Sequence, residues 1–391
     1  MCSLENTLQK ELSDLAEQGL TRTLRVLNTP CSPRIRMGRQ KYLAFASNDY
    51  LGLATHPDLT RALAEGASAW GCGSCASHLL NGHLRPHAML EEALATFTGF
   101  ARCLTFSSGY LANLAVTPTL ITRRADEIFA DRLNHASLID AVRLSRARQH
   151  RYPHGDLATL ARLLSASQAK TKMILTDAVF SMDGDIAPLA DLFELAERFD
   201  AWLVVDDAHG FGVLGERGAG SLSHCGLPPH ARIVLMATLG KAAGIGGAFV
   251  AASETVIEYL INRARSFIFT TAQPPALATA ALASLRLIAE SAERRAHLHD
   301  LIRQLRTSLC ELPWPLLASE TPIQSLLTGD NQTTLRLSES LKKRGIWVPA
   351  IRPPTVPPGM ARLRISLSAA HTEKEVARLI EALQEIAGEI G

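Results

Sequence analysis

Trp202-Leu203-Val204-Val205-Asp206-Asp207-Ala208-His209-Gly210 decides the fold of this chain. Its first four residues are apolar without alternation, so both faces of the strand they form must be covered. That is the mark of an interior strand in a mostly parallel sheet. The run then stops on two carboxylates, a histidine and a glycine, which places ionisable groups at a strand's carboxyl end. Similar short apolar runs recur at Cys103–Phe106, Glu127–Ala130, Lys172–Thr176, Ile233–Ala237 and Ala248–Ala252. Helical patterns lie between several of them, at Ser108–Leu120 and Ser137–Arg146. Alternation of this kind predicts a three-layer α/β domain.

Working outward, an amphipathic helix over Leu4–Leu20 and an arginine-rich turn at Arg22–Arg25 lead into a short strand at Tyr42–Ser47. Pro86–Gly99 reads as a helix, and helical patterning covers Ala276–Leu312 up to Pro313-Trp314-Pro315. A smaller α+β unit follows: helix Thr333–Arg344, strand Ile346–Val348, strand Arg362–Ser366 and helix Thr372–Ile390. The expected division is an N-terminal segment over 1–45, a large α/β domain over 46–285 and a C-terminal α+β domain over 286–391.

Composition excludes several function classes. Forty basic residues face 38 acidic ones, a net charge of +2, so no global field points to nucleic acid or to an anionic membrane. No stretch approaches the roughly 20 apolar residues that span a bilayer. Met1–Leu12 is polar, without a signal-peptide core, and the seven cysteines are irregularly spaced. The expected location is therefore cytoplasmic, with no disulfide framework. Cys72-Gly73-Ser74-Cys75-Ala76-Ser77-His78, followed by His83 and His87, has a zinc-like or redox-like spacing. No second cysteine pair accompanies it, so it reads as a turn rich in small residues, and no metal is expected.

Open α/β sheets bind ligands at the carboxyl ends of their strands. There this sequence places Ser107-Ser108-Gly109-Tyr110, a small-residue turn opening a helix, where backbone N–H groups can cradle a phosphate. It also places His135 and Ser137 after Asp131, Asp177 and Ser181 after Leu175, and Asp206 and His209 after Val205. Finally comes Thr238-Leu239-Gly240-Lys241-Ala242-Ala243-Gly244, with one of only eight lysines in a chain that has 32 arginines. Small neighbours let other groups approach its amine, as a carbonyl-condensing lysine requires. Singly, each has a structural explanation: a buried imidazole, a turn-capping aspartate, a lysine at a strand end. Together they supply a phosphate cradle, an aromatic ring, a buried carboxylate and a reactive amine, the set a pyridoxal phosphate enzyme needs.

Val205–Gly210 and Thr238–Lys241, with Phe180–Asp185 and Ser47–Gly52, resemble the α-oxoamine synthases, a family of fold-type I pyridoxal phosphate enzymes, nearly end to end. Members condense an amino acid with an acyl thioester and release CO2 and the thiol. The loop Ala350-Ile351-Arg352-Pro353-Pro354-Thr355-Val356-Pro357 resembles the branch of this family that joins L-alanine to a pimeloyl thioester, on CoA or acyl carrier protein, in biotin synthesis. The resemblance implies an acyltransferase in which Lys241 carries pyridoxal 5'-phosphate and then removes the Cα proton. It implies that Asp206 keeps the ring nitrogen protonated, His135 stacks on the ring, and His209 and Ser181 sit near its hydroxyl. Gly109, Tyr110 and Thr238 would hold the phosphate. Thr270 and Thr271 would reach the phosphate of a partner subunit, so a homodimer with shared sites is expected.

The resemblance also makes Arg352, with Asn48 nearby, the candidate for gripping the amino acid carboxylate. Arg22 would read the distal carboxylate of the acyl chain, although alone it reads as a solvated helix-end arginine, and Thr355 would contact substrate. Three stretches depart from the family pattern: Ser77-His78-Leu79, the Ala242–Gly247 run after the lysine, and His154-Gly155-Asp156, where His-Asn-Asp is expected. Relatives using glycine or serine, and fold-type I aminotransferases, share the lysine and aspartate. A silent subunit of a hetero-complex would typically have lost that lysine.

Overall fold

The computed structural model describes residues 3–18 and 20–390. Its centre is a seven-stranded sheet in the order Arg102–Phe106, Ala248–Ala252, Ile233–Thr238, Ala201–Asp206, Lys172–Asp177, Glu127–Asp131, Arg148–Tyr152. Ala248–Ala252 runs antiparallel to both its neighbours, and every other pairing is parallel. Successive side chains of a strand point to opposite faces. Accordingly Leu203 and Val205 join one core cluster, and Val204 joins the other across the sheet. Three layers follow directly from that division. Each fully buried leucine or valine contributes about 1.5–3 kcal/mol relative to exposure.

Register aligns the strand ends that carry chemistry. Asp177 lies opposite Asp206, Asp206 opposite Met236, and both Thr238 and Phe106 opposite Ala248. The expected strands are all present. Arg148–Tyr152 is an additional edge strand, four of whose five residues are polar or charged. Only Tyr152 is buried there, so the strand carries no apolar run. The helical stretch expected over Ala276–Leu312 divides at Ser291 into Pro275–Glu290 and Ala292–Ser308.

Towards the C-terminus, Ile323–Gly329, Ala361–Ser366 and Ala350–Ile351 form a small antiparallel sheet. The early strand Gln40–Ala44 pairs with Arg34–Met37 and, in parallel, with Ile346–Trp347. The beginning of the chain is thereby tied to its last quarter. Among the described residues no helix is long and apolar enough to cross a membrane.

One histidine fastens the carboxyl edge. His154 lies 3.1 Å from both oxygens of Asp131 and 2.9 Å from Asp185. These two carboxylates raise its pKa to about 10, so it is held as a cation. The neighbouring Gly155 has φ +67° and donates its N–H to Asp131 over 3.0 Å. Asparagine and glycine are the residues that tolerate this left-handed conformation best. The departure from His-Asn-Asp therefore keeps the turn.

Candidate active site

The loop Leu239–Gly247 returns the chain from Ile233–Thr238 into Ala248–Ala252 and carries Lys241. Its ends are joined by the Leu239 N–H bonding to the Gly247 carbonyl at 2.9 Å, and by Ile245 N–H to Leu239 at 3.0 Å. Lys241 Nζ lies 2.8 Å from His209 Nε2, and His209 Nδ1 lies 2.6 Å from the Tyr50 hydroxyl. Tyr50 donates to Asn48 Oδ1 over 3.1 Å. Its oxygen then accepts from His209 Nδ1–H, which leaves the Nε2 lone pair facing the lysine. Burial, reinforced by the charges of Lys241 and Arg364, holds the His209 pKa well below its ordinary value, in keeping with a neutral ring.

Burial also lowers the Lys241 pKa to about 8, against the opposing pull of Asp206 and Asp177. Asp206 is 3% exposed. One of its oxygens accepts from Asn113 Nδ2 at 2.7 Å and the other from Ala208 N–H at 3.0 Å. Asn113 also donates to Ser137 at 2.8 Å. Asp177 accepts the His135 N–H at 2.7 Å, and burial, then the charge of Asp206, raises its pKa. His135 caps the helix Ala136–Ser145, with Nδ1 2.7 Å from the Ser137 hydroxyl. Burial lowers its pKa too, so its ring is neutral.

Helix Gly109–Leu120 begins beside the lysine strand and is capped by Ser108 Oγ, which accepts the Leu111 N–H. A Cβ placed on Gly109 would stand 3.6 Å from Met236 and 3.8 Å from Thr238. The helix N-terminus and the Thr238 hydroxyl are therefore neighbours. The Tyr110 side chain turns to the surface, where its hydroxyl donates to Asp140, so only its backbone can serve a cradle.

Asn48 meets an arginine that carried no role in the sequence reading. Arg364, in strand Ala361–Ser366, is the guanidinium at Asn48, 3.3 Å from Oδ1, and it also donates to the Ser181 carbonyl at 2.6 Å. Arg352, expected beside Asn48, instead lines a 310 Å³ cavity together with Arg22, Arg25 and Lys342. Thr355 is exposed on the same loop, with its N–H bonded to the Arg352 carbonyl. Thr270 and Thr271 lie on the strip that bridges to Ser77. Among the described residues they make no hydrogen bond to the Lys241 group. Tyr50, Asn113, Asp177 and Arg364 belong to the cluster but had been given no role from sequence.

The arrangement fits pyridoxal phosphate. Two buried carboxylates at adjacent register positions face one amine of lowered pKa, and a protonated ring nitrogen would supply the positive charge that Asp206 is placed to meet. The backbone N–H groups at Gly109, with Thr238, suit a phosphate dianion.

The profile of the class I and II aminotransferases matches residues 40–383. An 8-amino-7-oxononanoate synthase of Dechloromonas aromatica (strain RCB) is 61% identical over 98% of this chain and 100% of its own length. This chain belongs to the 8-amino-7-oxononanoate synthase family. A solved member from Francisella tularensis is 32% identical, with TM-score 0.78 over 90% of this chain and 99% of its own. The fold reaches beyond the family. A serine palmitoyltransferase from S. paucimobilis, solved with a bound PLP–myriocin adduct, has TM-score 0.92 at 28% identity over 100% of this chain and 99% of its own. The family's expected three-layer α/β architecture is the one described above.

Proposed function

We propose that this chain is a pyridoxal 5'-phosphate-dependent acyltransferase that condenses L-alanine with a pimeloyl thioester. The products are 8-amino-7-oxononanoate, CO2 and the free thiol carrier, in biotin biosynthesis. The observation that carries this reading is Lys241, an amine of lowered pKa bonded to His209 in the same buried cluster as Asp206. The identity of the family members gives the substrates. When bound, pyridoxal phosphate supplies an electron sink for negative charge at the amino acid Cα.

The chain's own groups do the rest. Lys241 Nζ would hold the cofactor aldehyde and, when free, would accept the Cα proton. His209, fixed through Nδ1 by Tyr50, orients that amine through Nε2. Asp206 would keep a proton on the ring nitrogen, and Asn113 holds Asp206 in place. His135 would stack on the cofactor ring, and the Ser181 segment, held by Arg364, would help to position it. Cα then attacks the thioester carbonyl: a C–C bond forms, the C–S bond breaks and the thiolate leaves with a proton. The carboxylate departs as CO2 in a following step, and a proton returned by Lys241 takes its place at Cα.

The two arginine positions suggest a division of labour. Arg364 with Asn48, inside the cluster, grips the amino acid carboxylate, while Arg22 and Arg352 face the distal, anionic end of the acyl donor, with Thr355 at the rim. Incubation with pimeloyl-CoA and, in parallel, alanine, glycine or serine tests the reaction by free-thiol release. Release with alanine well above the other two is the expected result; no release with any amino acid would refute the synthase reading.

Thr270 and Thr271, which among the described residues make no hydrogen bond to the chain's own lysine group, support a shared site in a homodimer. So does helix Ser3–Glu17, whose Leu4, Leu8, Leu12 and Leu15 form an apolar stripe that is wholly exposed. Sedimentation should give twice the chain mass of 42.3 kDa, and a monomer would remove this assignment.

A further inference from the structure

The Cys72–His87 stretch assembles differently from its sequence spacing. The cysteines stand apart, and the histidines come together. His78 opens a single π-helical turn, His78–Gly82, His83 follows it, and His87 lies in the first turn of helix Arg85–Thr98. One ring nitrogen of each lies within 4.8 Å of the other two. The ring centroids are 5.1, 5.3 and 5.7 Å apart.

The inner and outer nitrogens can be told apart. His78 Nδ1 and His83 Nδ1 face each other at 2.8 Å. His87 Nε2 donates to the Gln273 carbonyl over 2.9 Å, so its Nδ1 holds the lone pair, which accepts the Leu84 N–H at 3.0 Å. His83 Nε2 faces Glu91 Oε2 at 3.8 Å. His87 thus gives its outer nitrogen to a backbone carbonyl, a partner of the kind that orients metal-bound histidines, and a carboxylate stands near that of His83 beyond hydrogen-bond reach. Phe267 stacks on His78 at 4.9 Å and fixes the third ring.

We propose that His78, His83 and His87 form a Zn²⁺ site through their Nδ1 atoms, with water as the fourth ligand. Bonds of about 2.0–2.1 Å to a tetrahedral ion set ligand nitrogens about 3.3 Å apart, between the closest contact here and the outer limit of the cluster. Binding opens the His78–His83 contact by about half an ångström and exchanges the Leu84 bond for the metal. All-imidazole coordination suits zinc, and Co²⁺ can replace it as a coloured reporter. The ion would pin the π turn to helix Arg85–Thr98 and, through Gln273, to the strip that carries Thr270 and Thr271. Its role is structural, and it stands independently of the synthase reading.

The test uses the holoenzyme, stripped with a chelator and titrated with Zn²⁺ by calorimetry and with Co²⁺ by visible absorption. Expected are one Zn²⁺ per chain, ligand-field bands of tetrahedral Co²⁺, and a rise in Tm with zinc. His83→Gln, at the exposed rim, should weaken zinc binding by about 10–100-fold or more and remove the cobalt bands and the Tm rise. His78→Gln should do the same, which guards against a folding defect in either variant. Failure of wild-type protein to bind zinc, or equal binding by both variants, would overturn the site.

Discussion

Lys241→Ala should abolish thiol release and, with it, the visible absorbance of the bound cofactor. In the proposed mechanism one side chain serves as cofactor anchor and as base, so the two losses compound. General-base removal alone costs about 10²–10⁴-fold, and loss of the covalent tether removes the cofactor's fixed position besides. We expect residual activity about 10⁴-fold or more below wild type. Full activity in this variant would show that another amine does the work. The wild-type protein offers a companion measurement. Its lysine pKa is lowered to about 8, and only the neutral amine adds to an aldehyde. The apoenzyme should therefore recover its absorbance with pyridoxal phosphate faster as pH rises from 7 through 8, then level off. A rate that climbs without a break to pH 10 would mean an amine with an ordinary pKa.

Asp206→Asn comes second in size. The carboxylate sits 3% exposed with both oxygens bonded, and its proposed role is to stabilise a protonated ring by its charge. Asparagine keeps the volume but removes the negative charge. The electron sink then weakens at the step where the Cα proton leaves. A loss on the order of 10²–10³-fold in kcat is expected, with the cofactor still absorbing because Lys241 remains. Exchange of the alanine Cα proton with deuterated solvent, followed by NMR without any thioester, should fall in parallel. Unchanged exchange would place the role of Asp206 elsewhere. Asn113→Ala should show a smaller defect of the same kind, since it positions Asp206 and does not carry charge.

Much of this site was legible because its parts end strands, and buried parallel strands announce themselves as unbroken apolar runs. Asp206, His209, Thr238 and Lys241 could be placed at one sheet edge from that pattern alone. Arg148–Tyr152 could not, because an edge strand that buries one residue in five has no apolar signature. Arg364 was hidden differently. It lies inside a strand of the C-terminal sheet, 316 residues along the chain from its partner Asn48, and nothing local marks the approach. The same holds for Asn113, an ordinary helical residue until Asp206 is folded against it. At Cys72–His87 the cysteines drew the reading, whereas the π turn and the start of the next helix gathered the imidazoles.

The antiparallel strand Ala248–Ala252 has one further consequence. Parallel neighbours need a crossover of a dozen or more residues, usually a helix, so most strand ends in this sheet lead into a long excursion before the chain returns. The lysine strand instead turns back at once into its neighbour, paired from Leu235–Ala251 to Thr238–Ala248. Lys241 is therefore a fixed datum, surveyed from the sheet on both sides. Arg364 and Arg352 arrive on a separate sheet, so a tilt of that sheet would alter the company the amine keeps without moving its backbone. Substrates are brought to the lysine; the lysine is not brought to them.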